Sequence, residues 1–364
     1  MINRLFKRFI RNLDGWLLLG LILLMATGLV VLYSASSQNL SRVLAQASNM
    51  LLGLAGMWVI ANISPQNLER IAWPIYVVGI ALLIGVALFG EVVNGARRWL
   101  HIGIARIQPS EIMKLALPLM LAWYFSRHES SLRLRDYAIA TLLLLLPLVL
   151  IARQPDLGTA LLIAASGFYV LFLAGLSWRL MAGLALVALA AAPLSWSMLH
   201  DYQQRRILTL LDPSQDPLGA GYHTIQSSIA LGSGGIFGKG WLAGTQSRLD
   251  FLPERSTDFI FAVFAEEFGL VGNIVLLILF FLLAARGIMI TINAPTLFSR
   301  LMAGSITLTF VTYAFVNMGM VSGILPVVGV PLPFISYGGT ALVTLLLGFG
   351  ILMSIQSNKK LMKR

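Results

Sequence analysis

The chain has 364 residues, 58% of them hydrophobic and 11% charged, with a mean hydropathy of +0.83 and a formal net charge of +11. A water-soluble domain carries about a quarter charged residues, so this composition excludes an ordinary soluble enzyme. The absence of cysteine excludes a disulfide framework or a thiolate metal site. In so apolar a chain, the positive charge points to anionic lipid or an anionic substrate rather than to nucleic acid.

Apolar stretches of about 20 residues, the length that crosses a bilayer core of about 30 Å, recur from end to end. They predict an all-α polytopic membrane protein with about ten transmembrane helices. The expected spans lie near residues 15–35, 43–63, 71–90, 110–126, 136–152, 156–175, 178–198, 258–285, 300–322 and 338–356. A membrane barrel would instead show alternating segments of about ten residues. The first apolar run, from Trp16 to about Tyr33, exceeds the roughly 7–15 residues of a cleaved signal sequence and reads as an uncleaved span. The stretch 110–126 is short and holds Pro118. No internal repeat or low-complexity linker divides the chain, so 1–364 reads as a single membrane domain.

An even number of spans places both termini on one side. Arg4, Lys7, Arg8 and Arg11, with Lys359, Lys360, Lys363 and Arg364, mark that side as cytoplasmic. The outer side then holds Arg42, Arg97, Arg98, Arg106, Lys114, Arg153, Arg205, Arg206, Lys239, Arg248 and Arg255. Any one of these fits a lipid headgroup or a salt bridge, but as a group they suggest an anionic ligand on the outer face. The extracytoplasmic loop between spans seven and eight, about 199–257, is too long for a passive connector. Within it, 222–231 reads as a short amphipathic helix lying on the membrane surface.

Four stretches carry candidate chemistry. "GSGGIFGKG" (232–240) lacks the spacing of a nucleotide-phosphate loop and reads as a turn that lets backbone approach a ligand or headgroup. "PSEIMK" sets Glu111 and Lys114 three apart on one helix face. Ionisable groups within a membrane are costly and by default functional, although a self-neutralising pair accounts for these two equally well. "RQPDLGTA" places Arg153 and Asp156 in a proline-containing break, where Asp156 also suits an N-cap. The four histidines, His101, His128, His200 and His223, show no zinc-site spacing, and no Gly-x-Ser-x-Gly elbow occurs.

The fourth stretch, "FLPERSTDFIF" (251–261), is the most charged: Asp250, Glu254, Arg255 and Asp258 crowd the start of an apolar helix. Ser256, Thr257 and Asp258 are all good N-caps, and capping by one of them is the simple expectation. Glu266 and Glu267 fall about 80° and 180° around a helix from Asp258 and roughly 12 Å deeper. A two-carboxylate glycosidase arrangement is therefore unavailable. A lone carboxylate among cations suits transfer from a sugar linked to lipid pyrophosphate. The leaving group then needs cations rather than an acid, and the carboxylate deprotonates the attacking hydroxyl.

Three stretches, "GSGGIFGKGWLAGTQSRLDFLPERSTDFIFAVFAEEFG" (232–269), "NGARRWL" (94–100) and "PLPFISYGGT" (331–340), resemble the SEDS family of shape, elongation, division and sporulation proteins. "GKGWLAGTQS" with "FLPER" is similar to its rod-shape branch rather than its division branch. The resemblance covers nearly the whole chain. It implies a peptidoglycan glycosyltransferase that polymerises lipid II into β-1,4-linked strands on the outer face of the bacterial cytoplasmic (inner) membrane during elongation. The implied partners are a class B penicillin-binding protein and other elongation-complex proteins. A lipid II flippase is the alternative reading, and a scaffold without chemistry the third.

The resemblance also implies Asp258 as the catalytic carboxylate and Glu111 with Lys114 as the family's pair near the fourth span. Further substrate contacts are expected among Arg98, Arg153, Asp156, Arg205, Arg206, Lys239, Gln246, Arg248, Glu254, Arg255 and Thr257. Mg²⁺ or Mn²⁺ bridging the pyrophosphate is compatible with this chemistry, though no carboxylate cluster demands it. Two positions depart from the family pattern. Ser256 stands where a histidine is usual, which leaves the base role to Asp258. Ser228 stands where a basic residue is common, so that contact is missing or falls to Arg205, Arg206 or Lys239.

Overall fold

The computed structural model describes residues 12–93, 96–102, 105–129, 132–154, 156–196, 201–213, 220–248 and 254–362. In chain order the first helices are α1 (Gly15–Ala35), α2 (Leu40–Ala61) and α3 (Pro65–Phe89). Three short strands follow: β1 (Glu91–Val93), β2 (Ala96–Ile102) and β3 (Ala105–Ile107). Then come α4 (Pro109–Arg127), α5 (Leu134–Ala152), α6 (Leu157–Leu173) and α7 (Trp178–Trp196). Three polar-region helices, α8 (Asp201–Leu211), α9 (Ala220–Ser233) and α10 (Thr245–Arg248), precede α11 (Ile260–Ile292), α12 (Leu297–Val321) and α13 (Gly339–Met362).

Among the described residues, seven helices are long and apolar enough to cross a membrane: α1, α2, α3, α5, α11, α12 and α13. The other three expected spans coincide with α4, α6 and α7. Helix α6 has 17 residues, below the length usual for a span, while α4 contains Glu111, Lys114 and Arg127. Helix α4 is buried nearly all round, its polar first turn included, as is typical of a helix in a core rather than at a lipid face. Protein contacts, not hydropathy, hold it in place.

The strands correct the all-α expectation locally. They form an antiparallel sheet in the order β1-β2-β3, with Glu91 opposite Trp99 and Leu100 opposite Ile107. The segments are too short to register in a span-length hydropathy window. Their local signal is the β-branched pair Val92 and Val93. His101 Nε2 lies 3.0 Å from Glu91 Oε2 across the sheet.

Helix α11 is broken at Gly269, whose φ of 64° favours glycine. The glycine-rich loop closes into that break. Lys239 N and Gly240 N donate to Glu266 O and Glu267 O at 3.0 Å each, while Leu270 N and Val271 N donate to Gly235 O and Ile236 O at 2.9 and 3.0 Å. A Cβ on Gly238 would fall 2.1 Å from Glu267 O. Gly234 and Gly238 permit backbone to approach the helix itself. The amphipathic stretch 222–231 is also corrected. It lies within α9, which packs on α11 and buries Ser227 and Ala230, so its inner face meets protein.

Candidate functional site

The segment 254–258 enters α11 as a compact turn. Thr257 N and Phe259 N both donate to Glu254 O, at 3.1 and 3.2 Å, and Glu254 has a φ of 51°. The helix then starts at Ile260, with Phe259 at the N-cap position and supplying no side-chain cap. The expectation that Ser256, Thr257 or Asp258 caps this helix is therefore not met, because each side chain is engaged or aimed elsewhere. Ser256 Oγ donates to Ala35 O at 3.3 Å, and Thr257 Oγ1 donates to Glu254 Oε2 at 2.9 Å. Among the described residues, the Asp258 carboxylate accepts no hydrogen bond.

Asp258 is held by its backbone instead. The Asn317 side-chain amide donates to Asp258 O at 2.8 Å and to Val330 O at 2.7 Å. Ser336 Oγ donates to Thr257 O at 2.7 Å, and Tyr337 N donates to Ser256 O at 2.8 Å. On the other flank Arg255 donates to Ser37 Oγ at 2.9 Å. Asp258 Oδ2 abuts Gly329, where an added Cβ would sit 3.2 Å from it. The 331–340 stretch thus forms part of a cradle that aims one carboxylate without pairing it. Burial pushes the Asp258 carboxyl up to about 6, the negative charge of Glu254 adds to the rise, and the Arg206 guanidinium opposes it.

A second polar cluster lies among α4, α6 and α12. Lys114 Nζ donates to Glu111 Oε1 at 2.6 Å with both side chains buried, and the ammonium stands 5.2 Å from the centre of the Tyr313 ring. Asp156 caps α6, accepting from Thr159 N at 3.3 Å as its cap signal predicts, and Arg98 Nε approaches its Oδ2 at 3.7 Å. Tyr313 is within electrostatic reach of both Glu111 and Asp156. Gly158 backs onto Val328 O, so the segment 328–330 walls off this cluster on one side and touches Asp258 on the other. Arg98, Glu111, Lys114 and Asp156 therefore belong to one cluster, with the segment 328–330 between it and Asp258.

Other expected contacts are placed differently. Glu266, fully buried, accepts from Lys239 Nζ at 2.7 Å, Thr245 N at 2.8 Å, Thr245 Oγ1 at 3.0 Å and Gln246 N at 3.1 Å. Lys239 and the backbone of Gln246 are thereby committed to an internal anchor. Arg153 is the exposed C-cap of α5. Ser228 is exposed on α9. Asp250 and the side chains of Arg106, Arg205 and Arg248 lie outside the described residues. Among the described residues no group of three or more histidine, aspartate or glutamate side chains is arranged to hold a metal ion.

Residue-level reading missed Asn317, Tyr313, Ser336 and Gly329. For Ser336 the signal was the 331–340 motif, and for Asn317 an amide in an apolar span.

A relative from Escherichia coli strain K12, the peptidoglycan glycosyltransferase MrdB (RodA), is 53% identical over 355 residues, which covers 97% of this chain and 96% of the relative. Stage V sporulation protein E of Bacillus subtilis is 35% identical over 94% of this chain and 96% of its own length. Among solved structures, a chain from a study of how a peptidoglycan synthase complex coordinates polymerization and crosslinking matches with a TM-score of 0.83 at 34% identity, over 95% of this chain and 98% of that one. The crystal structure of the rod-shape-determining protein RodA of Thermus thermophilus matches with a TM-score of 0.72 at 31% identity, over 95% and 97% of the two chains. The family model of the FtsW, RodA and SpoVE cell cycle proteins covers residues 13–361, and this chain belongs to that family.

Proposed function

We infer that this protein is a peptidoglycan glycosyltransferase of the rod-shape branch, polymerising lipid II on the outer face of the bacterial cytoplasmic membrane. The observation that carries the reading is Asp258: one carboxylate, backbone-aimed, unpaired and held at about 6, beside a buried cluster of cations and carboxylates. In this role the Asp258 carboxylate takes the proton of the acceptor 4-hydroxyl as that oxygen attacks the anomeric carbon of the lipid-linked donor. The bond from that carbon to the pyrophosphate oxygen breaks, the electron pair leaves with the pyrophosphate, and the configuration inverts to a β-1,4 link. A base with a pKa near the working pH is well matched to such a transfer.

Arg98 and Lys114 are the cations assigned in this reading to the leaving pyrophosphate, with Asp156 and Glu111 holding them in position. Lys239 belongs to the internal anchor instead. The reading takes the chain as one membrane domain of ten spans, in which α4, α6 and α7 join the seven long apolar helices and both basic termini lie in the cytoplasm. The region from α8 to Asp258 then faces outward. A class B penicillin-binding protein is the partner that fits, supported by the structural relative from a synthase complex that joins polymerization to crosslinking.

The test is Asp258→Asn in the purified protein with its penicillin-binding partner, given lipid II and assayed for glycan strands. Asn keeps the shape but cannot take the proton, so strand synthesis should fall by about 10²- to 10⁴-fold with expression and partner binding retained. Near-normal synthesis by Asp258→Asn would falsify the catalytic assignment.

A further inference from the structure

Next to Asp258 lies a separate cavity of about 230 Å³ between α8, α9 and the segment that follows α12. Arg206 and Thr209 of α8 with His223 and Thr224 of α9 form its polar wall, and Leu325 and Pro326 form an aliphatic one. Three links tie it to the carboxylate. The Arg206 charge acts on Asp258. The His223 ring stacks on that of Phe259, the residue after Asp258, with centroids 5.5 Å apart and planes 16° apart. The segment bearing Pro326 continues to Gly329, which abuts Asp258 Oδ2.

We propose that this cavity is a sugar subsite that takes one N-acetylhexosamine ring of the acceptor, recognised through the polar wall to which the His223 imidazole belongs. The inference deepens the glycosyltransferase reading and rests on it. His223 Nδ1 is buried and has no hydrogen-bond partner among the described residues. A buried polar atom without a partner is uncommon in folded proteins and asks for an explanation. Burial also favours the neutral imidazole, against the pull of Glu254 toward the charged form. A neutral ring offers one donor and one acceptor, which matches a hydroxyl or an acetamido group.

The walls agree with that choice. A pyranose has a C–H face and a polar rim, and here an aliphatic wall faces a wall of hydroxyl, imidazole and guanidinium groups. A pyrophosphate would leave the aliphatic wall unmatched and would meet one cation, Arg206. The volume is below that of pockets for drug-sized ligands, about 300–1,000 Å³, and suits a single ring. A ring seated there lies beside Asp258, where an acceptor hydroxyl must be to lose its proton.

The experiment measures lipid II polymerisation by the full-length protein with its partner, with two competitors: the disaccharide of N-acetylglucosamine, and inorganic pyrophosphate. The disaccharide should inhibit the wild type. His223→Phe, which keeps a stacking ring but removes the nitrogen, should weaken that inhibition about tenfold, the effect of one lost hydrogen bond. Inhibition by pyrophosphate should be unchanged. Thr209→Val, on the opposite helix, should weaken the disaccharide in the same direction and serves where His223→Phe does not fold. The subsite is overturned if the disaccharide does not inhibit the wild type, or inhibits it and both variants equally. It is also overturned if His223→Phe relieves pyrophosphate inhibition alone, since the cavity is then an anion site. In each of these cases a polymerising wild type leaves the glycosyltransferase reading standing. A wild type that makes no strands overturns both.

Discussion

Asp258 and Glu266 stand eight residues apart at the head of one broken helix, and the fold treats them in opposite ways. Glu266 is fully buried and its Oε1 accepts four hydrogen bonds, one of them from Lys239. Asp258 is partly buried, its carboxylate accepts none among the described residues, and burial with the nearby charge of Glu254 pushes its pKa to about 6. The first carboxylate fastens a glycine-rich loop into the break in α11. The second accepts no hydrogen bond among the described residues, and the backbone around it is fixed by Asn317 and Ser336. What distinguishes the anchor from the proposed base is the partner set, not the residue type or its depth along the chain.

The contrast breaks most readily at the anchor. Glu266→Gln should destabilise the protein by about 3 kcal/mol, the lower end for losing one partner of a buried pair, because Lys239 keeps 28% of its side chain exposed. Thermal unfolding in detergent checks this, and an unchanged midpoint would erase the distinction between the two carboxylates.

Asp258→Asn should move stability the other way. A carboxyl held at about 6 against an ordinary value near 3.9 costs the fold on the order of 3 kcal/mol at neutral pH. The sign follows from the raised folded value: the cost is absent below pH ~4, grows between ~4 and ~6, and is complete above ~6. The variant should therefore be more stable than the wild type at pH 7.5 and equal to it at pH 4. A lower midpoint at pH 7.5 would mean that Asp258 is structurally satisfied after all.

Asn317→Leu sharpens the contrast from the backbone side. It removes the two donors that hold Asp258 O and Val330 O, each a net contribution of about 1 kcal/mol, and should lower kcat about tenfold or more with little change in KM. A change confined to KM would argue against a positioning role. In the wild type, polymerisation should fall about tenfold per pH unit below ~6, as the base is protonated, and level off above it. A profile flat from pH 5 to 7 would remove Asp258 as the titrating group.

The smallest effect is expected at Lys239→Gln. It should weaken the fold but leave the KM for lipid II within about twofold, since the ammonium is already committed to Glu266. A large rise in KM would return Lys239 to the pyrophosphate contacts.

Much of the architecture was legible because a bilayer imposes a length and a polarity that composition displays directly. The expected spans match helices to within a few residues, except that α3 begins at Pro65 and α11 and α13 run on to Ile292 and Met362. The Glu111–Lys114 and Asp156 features were legible too, because helix spacing and capping are local rules. The burial of α4 inside the protein and the short strands were not, since side-chain packing and cross-strand pairing are not written in a hydropathy window.

The sequence by itself determined a polytopic helical membrane protein, the long polar region near 199–257 and Asp258 as the carboxylate to watch. The tertiary structure alone decided what Asp258 is for the fold, since its nearest supports come from Asn317 and Ser336, 59 and 79 residues away from the backbone groups they hold. It also decided that Lys239 is an internal partner and that His223 faces a cavity. The physical reason is common to all three: a charged or polar side chain is defined by the groups that satisfy it, and those arrive from segments remote in the chain.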